Sequence, residues 1–109
     1  MSYHLDPSPD RAAFLWKQAI EDLRTECNPG YPVTVVRRVL KQQCALCVFE
    51  KSRFRLTIDS NASFQHQLDL LLHEWAHAMS WFAPELEKTD HPDEWGLCLS
   101  RCYRAVMHD

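Results

Sequence analysis

The sequence predicts an α+β fold with an N-terminal helix, a three-stranded antiparallel sheet and two further helices. Three observations predict it: helical spacing of apolar residues near both ends, apolar-polar alternation in the middle, and turn-forming residues between these segments. With 109 residues, of which 46% are hydrophobic, the chain has enough apolar material for one core. We therefore expect residues 1–109 to form a single domain.

The first half of the chain predicts one helix and the sheet. The helix runs from Arg11 to about Cys27, with Ser8 or Asp10 as its N-cap, and Asn28-Pro29-Gly30 ends it. Alternation of apolar and polar residues then predicts strands at residues 33–39, 44–50 and 53–59. The third strand has the most regular alternation, and Lys51-Ser52 predicts a tight hairpin before it.

Two helices are predicted in the second half. The first contains the stretch Leu70–Trp81 and is capped by Ser63 or Asn61. Its apolar positions recur at helical spacing, which predicts a buried face, and we also assign Trp81 to the core; these positions are Leu68, Leu71, Leu72, Trp75, Met79 and Phe82. The last helix starts near Pro92 and places Trp95, Leu99, Cys102 and Val106 on one face.

The sequence HEWAH lies within the first of these helices and predicts a metal site. His73 and His77 stand four residues apart, so both imidazoles lie on one helix face and can bind one cation, for which zinc is the expected ion. Glu74 projects about 100° around the helix from His73, which suits a group that activates the water on the metal rather than a ligand.

A catalytic zinc normally has three protein ligands, and the segment TDHPDEWG contains candidates for the third. We expect His91, because neutral imidazole is the commonest zinc ligand among side chains. Asp90 is the alternative. Asp93 and Glu94 are also within reach, but acidic residues in the first turn of a helix are typically there to complement its dipole.

HEWAHA followed by DHPDEWG resembles the minimal zinc metallopeptidases of the zincin group, in particular SprT-like proteins and short phage-encoded relatives. These proteins have HExxH, a spacer, and then a His with an aromatic residue four positions later, as His91 and Trp95 stand here. The chain departs from them at Pro92, where a Gly is frequent. The resemblance implies a zincin-like core and a peptide substrate paired with an edge strand, for which Phe54–Asp59 is the candidate. Zincins with an acidic third ligand keep Asp90 open.

The function predicted is zinc-dependent hydrolysis of peptide bonds. Zinc held by His73, His77 and His91 would activate a water, and Glu74 would act as general base. A second donor to the developing oxyanion could come from Tyr103, Arg101, Tyr31 or His66. We expect Trp95 to support His91.

Two alternative functions remain open. One is a metal-binding interaction module without catalysis. The other is a nucleic-acid-associated accessory protein that uses a basic region at residues 33–56, in which Arg37, Arg38, Lys41, Lys51, Arg53 and Arg55 stand against Glu50. Basic residues on strands more often serve solubility and edge protection.

Composition bounds the location and the cysteine chemistry. A net charge of −3 predicts a soluble, weakly acidic protein. No apolar run is long enough to span a membrane and MSYHLDPSPD lacks the apolar region of a signal peptide, so we expect a cytoplasmic protein. Five cysteines, an odd number, argue against a disulfide framework. Cys44 and Cys47 with Cys98 and Cys102 could form a structural zinc site, but buried free thiols are the expected state.

Overall fold

The structure, a computed structural model, describes residues 7–82 and 93–107. Its elements in chain order are α1 (Pro9–Glu26), β1 (Val33–Arg38), β2 (Ala45–Glu50), β3 (Arg53–Asp59), α2 (Phe64–Met79) and α3 (Asp93–Val106). The predicted α+β class and the order of elements are confirmed in this part of the chain. Within the same residues, no helix is long and apolar enough to cross a membrane.

The strand order of the sheet differs from the prediction. β3 lies between β1 and β2; it pairs antiparallel with β2 but parallel with β1, so the prediction of a purely antiparallel sheet is wrong for β1. The physical reason lies in β3, whose residues Phe54, Leu56 and Ile58 are each 0% exposed. A strand with this much apolar surface is best buried when it has a neighbour on both sides.

The connection from β1 to β2 crosses the end of β3, where Asp59 holds it. The backbone N–H of Leu40 donates to Asp59 Oδ1 at 3.3 Å, and the N–H of Asp59 donates to the carbonyl of Cys44 at 2.9 Å. Two strand spacings are roughly 10 Å, which residues 39–44 can span. These contacts fix β1 and β2 at opposite edges of the sheet.

The helices bury one face of the sheet. α2 packs against β2 and β3 on one side and against α3 on the other. Trp75 of α2 is 0% exposed, and its indole Nε1–H donates to the carbonyl of Cys27 at 2.8 Å. This bond ties α2 to the C-terminal end of α1, in the centre of the molecule.

Two aromatic residues assigned to the core from the helical period are exposed instead. α2 ends at Met79, with Ser80 as its C-cap, so the helical period does not continue to Trp81 and Phe82. These two side chains are 43% and 62% exposed. The prediction that Trp81 belongs to the core is therefore wrong.

The β2–β3 hairpin is the predicted one, and its turn is strained. Lys51 and Ser52 have φ values of 54° and 59°, the left-handed conformations of a type I′ turn, which favours Asn-Gly. We expect the double substitution Lys51→Asn, Ser52→Gly to raise the free energy of unfolding by about 1 kcal/mol. Lys51→Val should lower it, because a β-branched residue resists positive φ. Urea unfolding of the three proteins checks this, and equal midpoints would contradict the turn assignment.

Candidate metal centre

α2 brings the two histidines of the motif together. Ser63 caps the helix by accepting a hydrogen bond from the N–H of His66 at 3.2 Å, and the face opposite the histidines is buried. His73 and His77 are half-buried one turn apart, and their Nε2 atoms lie 3.3 Å from each other. The two imidazoles therefore lie side by side, as the i, i+4 spacing predicts, and their role as metal ligands stays a prediction.

The separation of the two nitrogens fits zinc. Nitrogen ligands lie about 2.0–2.1 Å from zinc, and a tetrahedral angle between two of them places the nitrogens about 3.3 Å apart. The two imidazole Nε2 atoms already have this spacing, at 3.3 Å. This spacing is compatible with two ligands of one tetrahedral zinc ion.

The third ligand lies outside this description. His91 and Asp90 are not among residues 7–82 and 93–107, and those residues contain no group of three His, Cys, Asp or Glu that could hold a metal. Asp93 and Glu94 are exposed in the first turn of α3, as expected for residues that complement its dipole. The choice of His91 over Asp90 stays a prediction.

Trp95 of α3 packs on the two histidines. Its ring centroid lies 4.9 Å from that of His73 and 5.5 Å from that of His77. Its Nε1–H donates to the backbone carbonyl of His73 at 3.3 Å. These contacts restrain the imidazoles of α2, whereas support of His91 by Trp95 stays a prediction because His91 lies outside the described residues.

Glu74 lies in an apolar environment between α2 and β2. Glu74 is 8% exposed, and its carboxylate interacts electrostatically with the nearby Cys47 of β2. Burial raises the pKa of Glu74 to about 7. Burial, and to a lesser extent Glu74, raises the pKa of Cys47 to about 12, so Cys47 remains a thiol. A carboxyl group with a pKa near neutrality is well suited to accept and return a proton.

The buried Glu74 predicts a pH dependence of the metal-free protein. The fold favours its protonated form, so stability should fall as pH rises from about 4.5, the ordinary pKa, to about 7. Above this window the carboxyl is ionised in both states, and the full cost is about 3 kcal/mol. Below it the group is neutral in both states, and the cost disappears.

Chelator-treated protein and its Glu74→Gln variant provide the measurement. Urea unfolding at about pH 5 and about pH 8 should show the variant gaining stability over the wild type at the higher pH only. A wild type and variant that differ equally at both pH values would contradict a desolvated carboxyl.

Tyr103, one of the proposed oxyanion donors, is engaged with α2. Its hydroxyl donates to Asp69 Oδ1 at 3.0 Å, and Asp69 lies one turn before His73. Burial and the neighbouring Asp69 raise the pKa of Tyr103 to about 12, so it stays a donor. Of the other candidates, Arg101 donates to the carbonyl of Glu26 and His66 is exposed in the first turn of α2.

The cysteines do not form the four-cysteine site. All five are free. Cys44 is exposed and Cys47 lies by Glu74, whereas Cys102 is buried in contact with Met79, with an Sγ–Sδ distance of 3.5 Å. Buried thiols are confirmed for Cys27, Cys98 and Cys102.

Three arginines of the basic region, Arg37, Arg53 and Arg55, contact other side chains of the fold. Arg37 lies with its Cζ 4.4 Å from the ring centroid of Trp16, and it donates to Gln67 Oε1. Arg55 pairs with Glu50 at 3.3 Å, and Arg53 donates to Thr34 Oγ1 at 3.1 Å. These contacts agree with a role in the sheet itself, and Arg37 faces the helices rather than a shared basic surface.

Comparison with known proteins finds a solved structure with a similar fold. No family model and no curated protein matches the sequence. The fold is similar to the crystal structure of the metallopeptidase zymogen of Pyrococcus abyssi abylysin, with a TM-score of 0.54 and 20% sequence identity. The likeness covers 88% of this chain and 85% of that one. The two proteins thus share an α+β fold.

Proposed function

We propose that the protein is a zinc-dependent metallopeptidase. The observation that carries the proposal is the 3.3 Å spacing of the His73 and His77 Nε2 atoms, with Glu74 buried beside them. The fold likeness to a metallopeptidase zymogen supports it. The third ligand would be His91, or Asp90 as the alternative.

The residues would share the work as follows. Zinc, when bound, supplies a Lewis acid that makes a water acidic and polarises a carbonyl. Glu74 takes a proton from the attacking water at a carboxylate oxygen and then donates it to the leaving amine. Trp95 holds the two imidazoles in place by its ring contacts and its hydrogen bond to His73. A purely structural site would have no use for a carboxyl group at position 74.

The substrate edge assigned from the resemblance needs a correction. β3 (Arg53–Asp59) lies at the centre of the sheet, so its backbone is paired on both sides and cannot receive a peptide. Among residues 7–82 and 93–107, β2 is an edge strand of the sheet, and it is the strand whose Cys47 lies near Glu74. We propose that an extended peptide pairs with the open edge of β2, which would carry its backbone past the metal ligands.

Zinc binding and cleavage of a peptide mixture together test the proposal. Wild-type protein should bind one zinc ion per chain and cleave peptides in a chelator-sensitive reaction. His77→Ala should lose both properties, whereas His66→Ala, an exposed histidine of the same helix, should keep both. Zinc bound with no cleavage would favour the interaction module, and no zinc at His73 and His77 would overturn both readings.

A further inference from the structure

An exposed cluster of aromatic rings lies where α2, β2 and the segment before β1 meet. We call it the aromatic surface; its members are Tyr31, Phe49, Trp81 and Phe82, with Phe54 buried beneath them. Ring centroids lie 5.0 Å apart for Tyr31 and Phe49, 5.2 Å for Phe49 and Phe82, and 5.7 Å for Phe54 and Trp81. These distances make one continuous contact network.

The aromatic surface is open to solvent. Tyr31 is 41%, Trp81 43% and Phe82 62% exposed. Isolated exposed apolar residues are ordinary, but several large rings exposed together are typical of a binding site. The packing beneath them is already complete, since Phe54 is 0% exposed.

Two chain elements connect the aromatic surface with the proposed metal centre. Trp81 follows His77 by four residues, just beyond the end of α2 at Met79, and its backbone N–H donates to the carbonyl of Ala78. Phe49 follows Cys47 by two residues on β2, so both point to the same face, about 7 Å apart. Cys47 is close enough to Glu74 for the carboxylate to raise the pKa of its thiol, and α2 packs against β2.

We propose that the aromatic surface is a substrate subsite for one large apolar side chain, aromatic or aliphatic. The inference rests on the proposed peptidase function and names the class of peptide it acts on. A peptide paired with β2 has the same two-residue repeat as the strand. With its scissile bond at Glu74, its side chain about two residues away would lie on Phe49, Trp81 and Phe82.

The geometry of the rings fits this occupant. Phe49 and Phe82 are nearly perpendicular, with an interplanar angle of 89°, and Tyr31 meets Phe49 at 69°. Such edge-to-face packing exposes both ring faces and ring edges to a bound side chain. A further aromatic ring can therefore pack edge-to-face against this surface with favourable quadrupole interactions. A charged or small polar side chain would gain little from this surface.

Cleavage-site mapping in a complex peptide mixture is the first test. Sites cut by the wild type in a Glu74-dependent manner should be enriched in Phe, Tyr, Trp, Leu or Met at one position near the cut. For a peptide pair that differs only as Phe or Ser at that position, we expect kcat/KM to differ by about tenfold. Absence of any such enrichment would overturn the subsite while leaving the peptidase function in place.

Matched surface variants assign the preference to these residues. Phe82→Ser and Tyr31→Ser should reduce the tenfold ratio to about twofold or threefold, by weakening the Phe peptide only. Phe14→Ser is the control: Phe14 is 57% exposed, close to the 62% of Phe82, but lies on α1. An unchanged ratio in Phe82→Ser and Tyr31→Ser, or an equal change in Phe14→Ser, would overturn the assignment.

A peptide-binding measurement tests the subsite separately from the proposed peptidase activity. If the wild type cleaves nothing, the proposed function fails, and calorimetry of the zinc-treated Glu74→Gln protein with the same two peptides tests the surface alone. Tighter binding of the Phe peptide that Phe82→Ser removes supports the subsite. Equal binding of both peptides, or a concentration-dependent dimer that Phe82→Ser dissociates, overturns it.

Discussion

Replacing Glu74 with glutamine is expected to lower kcat/KM for peptide hydrolysis by about 10²–10⁴-fold. Glutamine has nearly the same shape, so it fits the site between α2 and β2, but it cannot take a proton from water. The imidazoles of His73 and His77 are untouched, so zinc affinity should change by no more than a few-fold. The rate loss would therefore come from proton transfer and not from metal loss.

Metal analysis and kinetics on the same preparation check this result. Glu21→Gln is the matched control, because Glu21 is an exposed glutamate on α1 and should keep full activity. Full activity in Glu74→Gln would refute its role as general base. A wild type that binds zinc but lacks activity would instead point to the interaction module.

Trp75→Ala should have the largest effect on stability, a loss of about 3–5 kcal/mol in the free energy of unfolding. The side chain is 0% exposed, and its removal leaves a cavity and an unsatisfied carbonyl at Cys27. Trp75→Phe keeps most of the ring but not the N–H donor, so about 1–3 kcal/mol should be lost. Denaturant unfolding with a chelator present measures both, because bound zinc would otherwise add stability.

Trp81 provides the comparison for Trp75 within the same segment. It is 43% exposed, so Trp81→Ala should cost no more than about half of the Trp75→Ala loss. Equal costs for the two alanine variants would show that burial does not distinguish these tryptophans.

The sequence predicts the helices and strands better than it predicts which strands are adjacent in the sheet. The caps at Ser8 and Ser63 and the β2–β3 hairpin depend on residues close in the chain, and the structure confirms them. The order of the strands depends on contacts between distant segments. Both orders, β1-β2-β3 and β1-β3-β2, have the same strand directions, so alternation alone cannot distinguish them. The buried residues Phe54, Leu56, Thr57 and Ile58 show the central position of β3 only once the structure is known.

In the candidate site, too, the features within one helix could be predicted, whereas contacts between distant segments could not. His73, Glu74 and His77 follow from the spacing of one helix, whereas the packing of Trp95 on both histidines needed α3 to be placed. The aromatic surface was missed because its members come from three separate segments. The helical period was also extended past Met79, where α2 has ended.

The placement of β3 between its two neighbours has a consequence for how the chain folds. β2 and β3 are joined by a tight turn, so their pairing closes a very short loop and can form within microseconds. The parallel pairing of β1 with β3 closes a larger loop, which has a greater entropic cost. We therefore expect the hairpin to act as the template on which the N-terminal half of the protein assembles, with the parallel pairing completed late.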